Sequence, residues 1–328
     1  MSRTLIRLSK PIATPILIPL HATPRHIRTM TTATFKHIDT TSYTGKPWGK
    51  VDGPGKSFEQ KDYQRAIHNI RGREAEFSTD NAGFAVYKAP AKEKLFTDDA
   101  AVRLGYYAEV ENLLKERIPG LKKVVIFDHT IRRRVKDAPR QPVQQVHVDQ
   151  TPAAAEVRVR RHLPKDEAEE LVKGRYQIIN VWRPIENPAS DMPLAVVDWR
   201  STSPSDFIPV DLMYPKRNDS ASPDSEDDDR GKEVLPDSTS YTSTNGYEVK
   251  GETLGVAANE KHKFYYMKDM TPEEVMLLKC FDSRGEGMEQ GVQGLALRTP
   301  HTAFVDPETP EGAPGRQSIE VRCLVFYE

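Results

Sequence analysis

Seven runs rich in β-branched and aromatic residues recur along the chain: Lys123 to Phe127, Val143 to Val148, Tyr176 to Trp182, Leu194 to Trp199, Lys263 to Met267, Val292 to Leu297 and Ser318 to Phe326. Runs of this kind, bounded by turn residues, read as strands. Helical signals are fewer. After Thr97-Asp98-Asp99 the spacing of Val110, Leu113, Leu114 and Ile118 predicts a helix that stops at Pro119-Gly120. A short helix follows Pro164 and ends before Gly174, and Thr271-Pro272-Glu273-Glu274 has the capping-box spacing and early proline of a third. Parallel α/β folds place a helix between most strands, whereas the intervals after Tyr176 hold Pro-rich loops and no G-x-G-x-x-G or P-loop occurs. The expectation is a mainly β (α+β) chain, a β-sandwich or jelly roll with a few flanking helices.

At 328 residues the chain is long enough to bury a sizeable core. Its two cysteines, Cys280 and Cys323, make neither a disulfide scaffold nor a zinc spacing, so the core must hold the fold. The 47 basic and 48 acidic residues balance to a net charge of -1, which supplies no global field for a polyanion and argues against nucleic-acid binding. The small basic clusters Lys122-Lys123 and Arg132-Arg133-Arg134 lack interleaved aromatics and read as surface. No stretch approaches the roughly 18 apolar residues of a membrane span, so no membrane partner is expected.

Two segments fall outside the expected core. From Met1 to Ile38 there are six basic residues and no acid, the composition of a mitochondrial transit peptide; an upstream extension before a start at Met30 is the alternative, with a cytoplasmic location. Residues 1–29 are therefore set aside and 30–328 are read as a single domain. Within it, a stretch from about 216 to 250 carries Asp219, Asp224, Glu226, Asp227, Asp228 and Asp229 among Ser, Thr, Pro and Gly, and reads as a disordered, solvated insertion.

The most informative tripeptide is His147-Val148-Asp149, which ends an alternating run. Side chains two apart on a strand project to one face, so this imidazole and carboxylate can hold one metal ion from one side. That is two-thirds of the facial triad with which non-haem Fe(II) oxygenases bind iron and keep positions open. Candidates for the third ligand late in the chain are His301, in Thr299-Pro300-His301-Thr302, and His262 as a fallback. Asp128-His129 is discounted because strand neighbours point opposite ways. Further on, Arg316 and Ser318 alternate onto one face, followed there by Glu320 and Arg322. A guanidinium fork plus a hydroxyl suits the carboxylate of a dicarboxylic acid.

These blocks, together with Arg175-Tyr176-Gln177-Ile178-Ile179-Asn180-Val181-Trp182-Arg183-Pro184 and Phe281-Asp282-Ser283, resemble the Fe(II)/2-oxoglutarate-dependent oxygenases, particularly the fungal gibberellin-desaturase-like and cephalosporin 7α-methoxylase-like family. The resemblance runs from about Thr32 to the C-terminus. It implies a double-stranded β-helix (cupin-like jelly roll) with Fe(II) held by His147, Asp149 and His301 as the catalytic centre, and 2-oxoglutarate gripped by Arg316 with Ser318. The long interval from His301 to Arg316 leaves Arg322 as a rival for the cosubstrate. Asn180 and Trp182 share a strand face as candidate substrate contacts, with core packing the alternative.

The function implied is hydroxylation or desaturation of a small organic molecule, a secondary metabolite, with dioxygen. Rival readings are a methyltransferase-type or accessory protein of a methoxylation pathway and a non-catalytic metal-binding β-sandwich protein. The oligomeric state is open.

Overall fold

Apolar residues on both faces of several strands fold most of the chain into two sheets, as a computed structural model describes for residues 29–51, 55–134, 141–216 and 241–327. In chain order the first strands are β1 (Met30–Ile38), β2 (Trp48–Lys50), β3 (Gln60–Asn69), β4 (Phe84–Lys88), β5 (Lys123–Arg133), β6 (His147–Val148) and β7 (Tyr176–Pro184). They are followed by β8 (Leu194–Val197), β9 (Phe207–Pro215), β10 (Tyr247–Val256), β11 (Phe264–Tyr266), β12 (Glu274–Asp282), β13 (His301–Ala303) and β14 (Gln317–Phe326). The nine-stranded sheet has the order β1-β3-β11-β8-β13-β6-β10-β9-β2, and the five-stranded sheet β4-β12-β7-β14-β5. Pairing is antiparallel except between β3 and β11 and between β2 and β9.

The sheets face each other across one core. Phe84, Trp182, Met276 and Leu278 from the smaller sheet meet Leu194 and Val196 from the larger. Alternation turns the intervening residues outward, where Ile179, Val181, Leu277, Ile319 and Val321 pack on Val102, Tyr106, Val110 and Leu114 of a helix. This is the jelly roll that the strand content predicts.

That helix begins as α1 (Asp99–Ala101), with the Asp98 side chain accepting from the Ala100 amide at 2.9 Å, and runs through a π turn at Val102–Tyr106 into α2 (Tyr107–Arg117). Helix α3 (Pro152–His162) starts after a three-residue connection from β6, its first turn closed by Thr151 Oγ1 accepting from the Ala154 amide at 3.1 Å. Helix α4 (Lys165–Leu171) follows Pro164 as predicted. Among the described residues, no helix is long and apolar enough to cross a membrane.

Several elements differ from the sequence reading. Thr271 and Glu274 do make the capping contact, with the Thr271 amide donating to Glu274 Oε2 at 2.8 Å, yet the chain enters β12 instead of a helix. The run Val275 to Phe281 is buried on both sides between β4 and β7, and that burial outweighs the local cap. Val292 to Leu297 lies in a turn-rich connection, not a strand, and Val143 to Val148 contracts to a two-residue strand at His147–Val148. Helix α3 and strands β1, β3, β4, β9 and β10 were not anticipated. Strand β10 begins at Tyr247, inside the expected insertion. The presequence expected at 1–29 lies outside the described residues except for Thr29, and the acidic segment lies outside them from 217 to 240.

Candidate metal centre

Strand β13 lies between β8 and β6, and its first residue, His301, pairs directly with His147. Two imidazoles distant in sequence therefore stand side by side, ring centroids 4.5 Å apart. Asp149, two residues beyond His147, turns its carboxylate to the same side. The potential ligand atoms of His147, Asp149 and His301 all lie within 4.8 Å of one another. His262, the fallback, is not part of this group: its Nε2 is 2.9 Å from Asp206 Oδ2, and its ring stacks on His37.

The same local device orients both rings. His147 Nδ1 is 2.7 Å from the Gln145 carbonyl oxygen, and His301 Nδ1 is 3.1 Å from the Thr299 carbonyl oxygen. A carbonyl can only accept, so each Nδ1 carries the proton and each Nε2 presents a lone pair. Both Nε2 atoms face Asp149 Oδ1, at 3.4 and 3.8 Å. Three acceptors thus converge with no donor among the neutral groups, an arrangement that a divalent cation satisfies. The hydrogen-bonded imidazoles are the usual outer support of metal ligands. Two imidazoles and one carboxylate are the donor set suited to Fe(II), so the residues fit the metal.

Charge and burial follow the same logic in the ion-free protein. Burial opposes ionisation of Asp149, but the hydrogen bond from His147 and the charge of both imidazoles hold its carboxyl well below the usual range. Burial drives His301 down to about 4, and repulsion from His147 adds to it. His147 is raised: burial works against its charge, and the contact with Asp149 overcomes that.

Behind the triad, Asn180 Nδ2 donates to Asp149 Oδ2 at 2.6 Å, and the Cys280 thiol points at the same oxygen from 3.9 Å. Asn180, a candidate substrate contact with core packing as the alternative, is fully buried against Asp149.

In front of the triad opens a cleft whose walls include Thr130, Arg132, Trp182, Arg316, Ser318 and Glu320. Arg316 is 4% exposed; its Nη1 donates to the Met192 carbonyl at 2.7 Å, its guanidinium lies 5.6 Å from the Trp182 ring, and its Nε has no partner. Burial, with repulsion from Arg132, pushes the guanidinium down to about 9. A buried guanidinium with an unpartnered Nε on the cleft wall fits an incoming carboxylate. Ser318 stands two residues along the same strand face.

Arg322 is placed differently from Arg316. Its Nη2 donates to Thr130 Oγ1 at 2.5 Å and sits 3.2 Å from Asp128 Oδ2, so an internal acid already neutralises it. Asp128 and His129 diverge as alternation requires, His129 Nδ1 lying 2.8 Å from the Tyr107 hydroxyl on the helix side. Alternation places Glu320 on the face of Arg316 and Ser318, although the sequence reading assigns it no part in the site. Its carboxyl lines the cleft and is raised by burial, with the Asp149 charge adding to the effect. The carbonyls of Gln145 and Thr299, and the Cys280 thiol, had no sequence signal.

The family model described as Oxidoreductase/YMDC permease-like domain matches residues 35–326. The chain is 34% identical over 278 residues to the Hydroxylase/desaturase efuI of Hormonema carpetanum, covering 80% of this chain and 83% of the relative. It is 30% identical over 277 residues to the Fe(II)/2-oxoglutarate-dependent dioxygenase nvfI of Aspergillus novofumigatus, covering 82% and 85%. A solved structure of the iron and alpha-ketoglutarate-dependent endoperoxidase NvfI superimposes with a TM-score of 0.74 at 27% identity, covering 92% of this chain and 98% of that one.

Proposed function

From the premise that the chain belongs to the Oxidoreductase/YMDC permease-like family, we propose that His147, Asp149 and His301 bind the iron and Arg316 with Ser318 the cosubstrate of this enzyme. The protein is an Fe(II)/2-oxoglutarate-dependent oxygenase, an oxidoreductase of secondary metabolism that acts with dioxygen on a small molecule. Family membership displaces the readings of a methyltransferase-type or accessory protein and of a non-catalytic metal-binding protein. The reaction we assign is hydroxylation or desaturation of an organic substrate, following the names of the relatives.

The observation that carries the ligand assignment is the pair of Nδ1–carbonyl hydrogen bonds, which aim two imidazole lone pairs at Asp149 Oδ1. The chemistry supplied by bound iron and 2-oxoglutarate is activation of dioxygen for oxidation of a C–H bond, with succinate and carbon dioxide formed from the cosubstrate. The chain's own part is orientation and exclusion of water. Gln145 and Thr299 hold the rings, and Asn180 holds the acid. Arg316 offers unpaired donors to a carboxylate, Ser318 adds a hydroxyl, and Trp182 lies over the guanidinium and fixes its plane. We assign Arg322 to the support of this wall through Asp128 and Thr130, not to the cosubstrate.

Anaerobic loading with Fe(II) and 2-oxoglutarate, followed by addition of dioxygen, tests the reading: succinate forms in the wild type and not in His147→Ala. Turnover that survives in His147→Ala contradicts the ligand set.

A further inference from the structure

The distal oxygen of Asp149 is engaged before any ion arrives. Asn180 lies in the middle of β7, with Leu278 of β12 as its neighbour on one side and Arg322 of β14 on the other. Its Nδ2 reaches Asp149 Oδ2 at 2.6 Å, while Oδ1 of the same carboxylate is the oxygen turned towards the two imidazoles. The amide can point only one way, because the reversed orientation would set its oxygen against a carboxylate. Asn180 Oδ1 is buried and has no hydrogen-bond partner among the described residues. A buried amide that leaves one atom unsatisfied destabilises the fold relative to a well-packed apolar residue, so stability does not explain an amide here. Contact with the ligand does.

A carboxylate binds a cation through one oxygen or through two. With one, a facial triad leaves three positions of an octahedron open, enough for a two-point 2-oxo acid and dioxygen. With two, a position is lost. We propose that Asn180 is a positioning residue that occupies Oδ2 of Asp149, keeps this acid a one-oxygen ligand and so preserves the third open position. The Cys280 thiol, 3.9 Å from the same oxygen, adds a weak donor to it. This inference rests on the reading of His147, Asp149 and His301 as the iron site.

The test compares wild type with Asn180→Asp, which keeps the shape and removes the donor, and Asn180→Leu, which removes all polarity. Each is loaded with Fe(II) without oxygen and titrated with 2-oxoglutarate; iron affinity, cosubstrate affinity and the ligand count from X-ray absorption are read separately, alongside thermal unfolding. We expect at least one folded variant to keep iron affinity within about threefold, to lose about tenfold or more in cosubstrate affinity, and to gain an oxygen ligand from the protein. Unchanged cosubstrate affinity and ligand count in the folded variants overturns the role of Asn180. Loss of iron and cosubstrate binding in proportion, with no change in ligand count, overturns it as well, since that marks a merely structural residue. Wild type that fails to take up iron overturns instead the ligand assignment on which the inference stands.

Discussion

His147 and His301 are direct cross-strand partners on β6 and β13, their rings 4.5 Å apart and each held by the backbone carbonyl two residues earlier in the chain. Because each carbonyl fixes one proton on Nδ1, both Nε2 lone pairs are committed to the same point in space. Asp149 supplies the third acceptor there. Such a cluster is satisfied by a cation, or in its absence by a proton that His147 shares with Asp149, which makes the site's stability and its chemistry parts of one problem.

Loading with Fe(II), or with Mn(II) as an oxygen-stable substitute, is expected to raise the thermal midpoint, with about 2.7 kcal/mol of added stability at a free-metal concentration 100 times the dissociation constant. His301→Ala and Asp149→Ala are expected to abolish that increase and to lower succinate formation by about 100-fold or more. Calorimetry with and without chelator, together with succinate quantitation, checks both.

Arg316, just before β14, and Arg322, within it, separate by different measurements. Arg316→Gln is expected to weaken 2-oxoglutarate binding by about 100-fold with unchanged or improved stability, because burial works against the guanidinium's charge and its Nε has no partner. Arg322→Gln is expected to destabilise the fold by about 3–5 kcal/mol, because it strands buried Asp128. Cosubstrate titration and urea unfolding of both variants decide the matter. The opposite pattern would make Arg322 the cosubstrate's partner.

Acid sensitivity is expected from a second charged cluster, at β12 and the residue before β7. Asp282 is buried with fully buried Lys279 at 2.8 Å and Arg175 at 2.7 Å. Burial opposes its charge, but these two cations hold the carboxyl below the usual range. A folded-state value below the unfolded one gives stability that is complete above the unfolded value of about 3.9 and is lost as pH falls through the folded value. Unfolding free energy should therefore decline below about pH 4, and Asp282→Asn should flatten that decline while lowering stability at pH 7. Urea titrations from pH 3 to pH 7 check the slope.

Thr151 closes the first turn of α3 and also donates to Glu252 Oε2 at 2.8 Å, two residues beyond Asp149. Thr151→Ala is expected to destabilise the protein by about 1–2 kcal/mol through loss of the cap and of that bond. Thr151→Ser should recover most of it. Denaturant midpoints of the pair provide the check.

The parts of the site that are local in the chain were legible in the residues alone. Period-two alternation places His147 with Asp149, and Arg316 with Ser318 and Glu320, whatever the strands pair with. The divergence of Asp128 and His129 follows from the same rule, and the short helix after Pro164 follows from its bounding Pro164 and Gly174. Asp98 and Thr151 likewise carry their caps in sequence, although the second signal went unread beside the metal motif.

Pairing between distant strands could not be read in this way. The choice of His301 over His262 is made by the register of β13 between β8 and β6, and nothing near either histidine encodes it. The placement of Asn180 against Asp149, of Asp128 against Arg322, and of Thr271–Glu274 at the entrance to a strand are likewise decided by neighbours across the sheets. Backbone periodicity is a property of consecutive residues, so local order alone sets which side chains share a face. Which faces meet depends on long-range burial and register, and those exist only once the two sheets have closed on each other.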